Sequence, residues 1–151
     1  TRNHSSAASD VYKRQVKTFK GFYLALNAFY EKNYEKASDY FEQLESSSLS
    51  YELNRRTHLL KIYFLIDEIL LFESRLNSFT QFLHDKKKMP KNEKAKFLNF
   101  IKIMHRFFKA KDLRNKTDSD KLKRLEQKIK KMSVLWERKW LLQQIEIRLK
   151  K

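Results

Sequence analysis

The stretch FKGFYLALNAFYEKNYEKASDYFEQLESSSL, Phe19 to Leu49, decides the fold. Its first part, Phe19 to Tyr30, is rich in apolar residues, and the polar tripeptide Glu31-Lys32-Asn33 then interrupts it. Asn tolerates the left-handed conformation that closes a helix. From Tyr34 to Leu44 the residues Ala37, Tyr40, Phe41 and Leu44 recur three and four apart, while Glu35, Asp39, Glu42 and Glu45 take the opposite side. That period of apolar against acidic residues predicts an amphipathic helix. Two helices joined by so short a turn are expected to pack antiparallel.

Working outward, the same periodicity predicts five more helices. Ser46 to Ser48 break the chain, Ser50 is read as the N-cap of a third helix through Leu53, Leu59, Leu60, Tyr63 and Phe64, and Asp67-Glu68 end it. A fourth, Ile69 to Leu83, is expected to use Leu70, Leu71, Leu76, Phe79, Phe82 and Leu83 as its core side. Pro90 closes the linker that follows, because proline disfavours helix at the residue before it. A fifth helix spans Lys91 to Lys111, Asn115 to Asp118 form a turn, and Asp118 or Ser119 caps a sixth with the stripe Leu122, Leu125, Ile129 and Met132. The last is expected to contain Leu135, Trp136, Trp140, Leu141, Ile145 and Leu149. With one Gly and one Pro, the chain lacks the punctuation of a β protein, and at 41% hydrophobic it is too apolar for disorder. The predicted class is all-α, built from antiparallel helix pairs.

Two resemblances refine this. Phe19 to Leu49 resembles a tetratricopeptide repeat, the helix-turn-helix unit of about 34 residues, through Leu24 and Ala25, Tyr34, Ala37, Phe41 and Leu44. It departs from the family at Gly21, where a large aromatic is preferred, at Lys32, where the turn prefers glycine, and near Leu49, where no proline follows. Tyr51 to Leu83 has the length of a second repeat but little of the motif, and nothing from Pro90 onward matches it. The resemblance implies the end of an α-solenoid at 16–84, a basic linker at 85–90 and a C-terminal helical cap at 91–151 packing on the repeats. It also implies a groove for another protein, or for preceding repeats of the same chain, with Phe19, Phe22, Tyr23, Leu26 and Phe29 as its lining. The second resemblance is of another kind. Ser5 to Gln15, SSAASDVYKRQ, is similar residue for residue to the translated adapter of transposase-based sequencing libraries. It implies that 1–15 is an artefact, disordered or fortuitously structured, and that the natural chain, a fragment of a longer bacterial protein, begins near Val16. Such a fragment is expected to self-associate.

The formal net charge of +16 is uneven: +2 over 1–15, −1 over 16–83, +12 over 84–131 and +3 over 132–151. Lys86, Lys87 and Lys88 with Lys121, Lys123, Arg124, Lys128, Lys130 and Lys131 therefore form a candidate polyanion-binding set for RNA or DNA. The excess is carried by 24 Lys against 10 Arg, whereas bidentate phosphate and base recognition favours Arg. Lysine enrichment beside many Phe, Asn and Ile also looks like AT-rich codon usage, so the protein-interaction reading is preferred over nucleic acid.

Nothing in the sequence carries catalysis. His58, His84 and His105 lack metal-binding spacing, the carboxylate pairs Asp67-Glu68 and Asp118-Asp120 sit at helix ends, and a single glycine cannot build a phosphate loop. The expectation is a non-catalytic interaction or scaffold module without cofactor or metal. The absence of cysteine is compatible with a cytoplasmic location, and no apolar run approaches the ~20 residues of a membrane span.

Overall fold

A computed structural model describes residues 4–46, 48–111 and 118–150, with side chains from Ala7 onward. All regular structure among them is α-helical: α1 (His4–Tyr30), α2 (Tyr34–Gln43), α3 (Leu49–Leu65), α4 (Ile69–Asp85), α5 (Lys91–Ala110), α6 (Ser119–Lys131) and α7 (Arg138–Leu149). The contacts divide the chain into two compact units that meet inside α4, between Phe72 and Glu73. The change of charge falls later, at 85–90, so packing and composition divide the chain differently.

In the first unit, α1 packs on α2, and α2 on α3. The α1–α2 crossing is lined by small residues: Ala25, Ala28 and Ala37 are buried, and a Cβ built on Gly21 would stand 2.6 Å from Leu44 Cδ2. Gly21, a departure from the repeat motif, thus admits Leu44 close to α1. The turn out of α1 is a left-handed C-cap. Lys32 adopts φ 63°, its N–H donates to the Phe29 carbonyl (3.0 Å), and the Asn33 N–H donates to the Ala28 carbonyl (2.9 Å). The left-handed residue is therefore Lys32 and not Asn33, whose side chain instead caps α2 by accepting from the Lys36 N–H (3.3 Å). The turn out of α3 is built alike. Asp67 has φ 60° and the Glu68 N–H donates to the Tyr63 carbonyl (3.1 Å), 35 residues after the first turn.

Helix ends without glycine need other partners for their last carbonyls. At the end of α2, Arg55 of α3 supplies them: its Nε donates to the Phe41 carbonyl (2.6 Å) and its Nη2 to that of Glu42 (3.4 Å). At the end of α6, Arg138 of α7 donates to the carbonyls of Ile129 and Met132.

In the second unit, α5 packs on α6 and α6 on α7. Phe100, Ile103, Met104 and Phe107 of α5, Leu122, Leu125 and Ile129 of α6, and Leu141 and Ile145 of α7 are buried. The Trp136 N–H donates to the Lys96 carbonyl (3.1 Å) and Asn99 Nδ2 to the Val134 carbonyl (2.9 Å), which pins 134–136 beside the first half of α5. Arg148, near the end of α7, stacks over Phe107, near the end of α5. Thus α6 runs antiparallel to α5, and α7 returns along it.

Several expectations are corrected. α1 begins at His4, because nothing between His4 and Phe19 breaks a helix, although Ala7 to Gln15 are all exposed. α3 starts at Leu49 after Ser48, which makes no side-chain cap bond, so Ser50 is not its N-cap. In α4, Leu70 is 77% exposed and Leu71 exposed as well. The buried stripe is Phe72, Leu76, Phe79 and Leu83, with Phe82 half-buried. Leu135 and Trp136 precede α7 rather than lie within it, because Glu137 takes a left-handed φ of 61° and Trp136 bonds across to α5. Asp118 does cap α6, accepting from the Lys121 N–H (3.1 Å). The turn expected at 115–117 lies outside the described residues.

Candidate interaction surfaces

The five residues expected to line a groove do not share one environment. Phe29 is buried, edge-on to Tyr34 (5.7 Å) and to His58 (5.0 Å). Phe22 is half-buried, edge-on to Phe41 (5.8 Å) and Tyr51 (5.0 Å). Both belong to the packing of the first unit. Phe19 and Tyr23 face outward, at 61% and 59% exposure, and Leu26 sits half-buried between the two groups. Tyr30, outside the expected groove set, is exposed at 73%. Phe19, Tyr23, Leu26 and Tyr30 follow one another at intervals of four, three and four, the spacing that sets side chains in one stripe along a helix. The sequence held that signal, hidden by the apolar residues of α1 that serve the core.

His58 belongs to the same core. Its ring stacks on Phe41 (5.1 Å), and Nδ1 lies 2.8 Å from the Asn54 carbonyl, an acceptor that requires Nδ1 to carry a proton. On another side of α1, a groove of about 930 Å³ runs along α1 and the end of α2, with Lys17, Lys20, Leu24, Tyr40, Leu44 and Glu45 among its lining.

The basic residues are placed differently from their grouping in sequence. Lys86, Lys87, Lys88, Lys121, Lys123, Arg124, Lys128, Lys130 and Lys131 are all exposed. Lys121 pairs with Asp118 (3.8 Å) and Lys130 with Glu126 (3.6 Å), while Lys86 lies over the Phe82 ring at 4.9 Å. Lys121, Lys123 and Arg124 lie in the first half of α6; Lys128, Lys130 and Lys131 form its last turn. From Lys121 to Lys131 the helix rises about 15 Å, so the set spans both ends of α6.

A smaller cleft of about 310 Å³ in the second unit gathers Glu73, Lys102 and His105 beside Leu76 and Ile101. Asn77 is a fourth polar residue of the lining; all four are exposed, and Glu73, Lys102 and His105 make no hydrogen bond or ion pair among the described residues. Among the described residues no group of three or more His, Cys, Asp or Glu could hold a metal ion, and no helix is long and apolar enough to cross a membrane. Compared with known protein families, curated proteins and solved structures, the chain matches none of them.

Proposed function

We propose that the chain is a non-catalytic helical-repeat module, akin to the tetratricopeptide class, that binds another protein or a neighbouring repeat through the outer stripe of α1. The observation that carries this reading is the exposure of Phe19, Tyr23 and Tyr30 on one line of a helix whose other side packs on α2. Burying one such aromatic contributes about 1.5–3 kcal/mol. A helix laid along the stripe would reach it at successive turns, the usual mode of helix-in-groove recognition.

The repeat character draws support from the two helix turns at Lys32 and Asp67. Spaced 35 residues apart, they share a left-handed cap and the same bond back to the carbonyl five residues earlier, close to the period of about 34 residues expected of the class. The buried small residue of the first hairpin, Ala37, has Phe72 at the equivalent place in the second, so the second unit of the repeat would be the divergent one.

The test is light scattering across a concentration series with the intact chain and with Phe19→Ser/Tyr23→Ser. The expected result is concentration-dependent association that the double substitution abolishes while circular dichroism stays unchanged. A monomer at high concentration would exclude a neighbouring copy as the occupant, and association unaffected by the substitutions would overturn the assignment of α1 as the docking face.

A further inference from the structure

The second unit brings three lysine groups distant in sequence to one end. The bonds from Trp136 to Lys96 and from Asn99 to Val134 set 134–136 against the first half of α5, so the last turn of α6 finishes near the start of α5. The linker 86–90 leads directly into that start. Lys86, Lys87 and Lys88 of the linker, Lys91 and Lys94 of α5, and Lys128, Lys130 and Lys131 of α6 therefore crowd one end of the unit. The acids nearby are partly engaged: Glu93 pairs with Lys96 (3.0 Å), Glu126 with Lys130 (3.6 Å), and Asp85 accepts from Gln81 (2.9 Å). Lys87, Lys88, Lys91, Lys94, Lys128 and Lys131 form no ion pair among the described residues.

The ordinary role for lysines in a last helical turn is to complement the carbonyl end of the helix. Here Arg138 already takes the carbonyls of Ile129 and Met132, and the Met132 N–H takes that of Lys128. Lys128 and Lys131 are thus left to solvent and to each other, while Lys130 pairs with Glu126. Their mutual repulsion falls when phosphates intervene, and release of the counterions condensed on a nucleic acid adds a salt-dependent driving force.

We propose that this end of the second unit binds the phosphodiester backbone of nucleic acid without base selectivity. Lysines act as point charges and carry no bidentate code. A membrane surface is the poorer fit, because interfacial docking combines charge with inserted apolar side chains. Within the second unit, Ile147, at the far end of α7, is the one large apolar residue exposed among the described residues. The proposal is independent of the α1 reading and removes Lys121, Lys123 and Arg124, at the other end of α6, from the site.

The experiment is fluorescence anisotropy of the full chain with labelled oligouridylate and oligodeoxythymidylate over a salt series. Lys87→Glu/Lys88→Glu and Lys128→Glu/Lys131→Glu are compared with Lys109→Glu/Lys123→Glu, which makes the same charge change away from the site. Each of the first two pairs is expected to weaken binding at least ~10-fold and to lower the slope of log affinity against log salt by about 1.4, two phosphate contacts on a single strand. The control pair should change affinity less than ~3-fold. Gln versions of the same pairs, which keep the surface polar, should give smaller losses in the same order. Equal loss in the control pair would reduce the effect to net charge and overturn the site. So would capture by phosphatidylserine vesicles with no binding of either oligomer at low salt.

Discussion

Replacing Lys32 with glycine should make the protein more stable, although it deletes a side chain from a helix turn. Lys32 sits at φ 63°, where its Cβ crowds the neighbouring backbone at a cost of about 1–2 kcal/mol. Glycine escapes that cost but loses more backbone entropy on folding, about 0.5–1 kcal/mol. The Lys32 side chain is exposed and forms no ion pair among the described residues, so nothing else changes hands. The net gain expected for Lys32→Gly is about 0.5–1 kcal/mol, seen as a rise of roughly 1–4 °C in melting temperature for a chain of this size. Lys32→Asn should fall between, Lys32→Ala near zero, and Lys32→Val below zero because branching at Cβ worsens the crowding. Urea titration followed by circular dichroism measures the series, and the midpoint should move at constant slope. Asp67, at φ 60°, gives an internal comparison: aspartate tolerates the left-handed region better than lysine, so Asp67→Gly should gain less. If Lys32→Gly is no more stable than Lys32→Ala, the left-handed cap is not the feature that limits this turn.

Three further outcomes follow from other parts of the structure. Arg138→Met should destabilise the second unit by about 1–3 kcal/mol, because two carbonyls at the end of α6 lose their donor; Arg138→Lys should restore little of it, and hydrogen exchange in α6 reads the loss. Ala37→Leu should cost about 1–3 kcal/mol in chemical denaturation, since the residue is fully buried at the α1–α2 crossing. Removing residues 1–15 should leave the melting temperature nearly unchanged, because Ala7 to Gln15 are all exposed; a large drop would mean that this part of α1 contributes packing.

The helices were legible in the sequence wherever polar and apolar residues alternate cleanly. Tyr34 to Gln43 and Ser119 to Lys131 carry such patterns, and Asp118 announces the start of the latter by its capping chemistry. In Ile69-Leu70-Leu71-Phe72 every residue is apolar, so period alone cannot choose which face turns inward; Phe72 does, while Leu70 and Leu71 stay exposed. Trp136 is ambiguous for a related reason: its spacing to Trp140 fits a helix, whereas its actual partner is the Lys96 carbonyl, set by a contact between distant segments. The same contact gathers the lysines at one end of the second unit. Charge density could be read residue by residue, but the division of the basic set between the two ends of α6 required the path of the chain. On α1 the difficulty was one of excess, because aromatic residues line more than one side and only burial separates Phe29 from Tyr30.

The two arginine caps bear on how the chain reaches its folded state. α2 is 10 residues long, too short to persist alone in water. Arg55, which arrives only when α3 docks, adds a donor to the Phe41 carbonyl beside the Leu44 N–H and reaches that of Glu42; α6 likewise gains donors for the Ile129 and Met132 carbonyls from Arg138 of α7. Each of these helices is completed by its successor, so the stability of one is conditional on the arrival of the next. A truncation just before α3 or α7 should therefore fray the preceding helix back from its end, and unfolding should pass between neighbours rather than strike each helix independently.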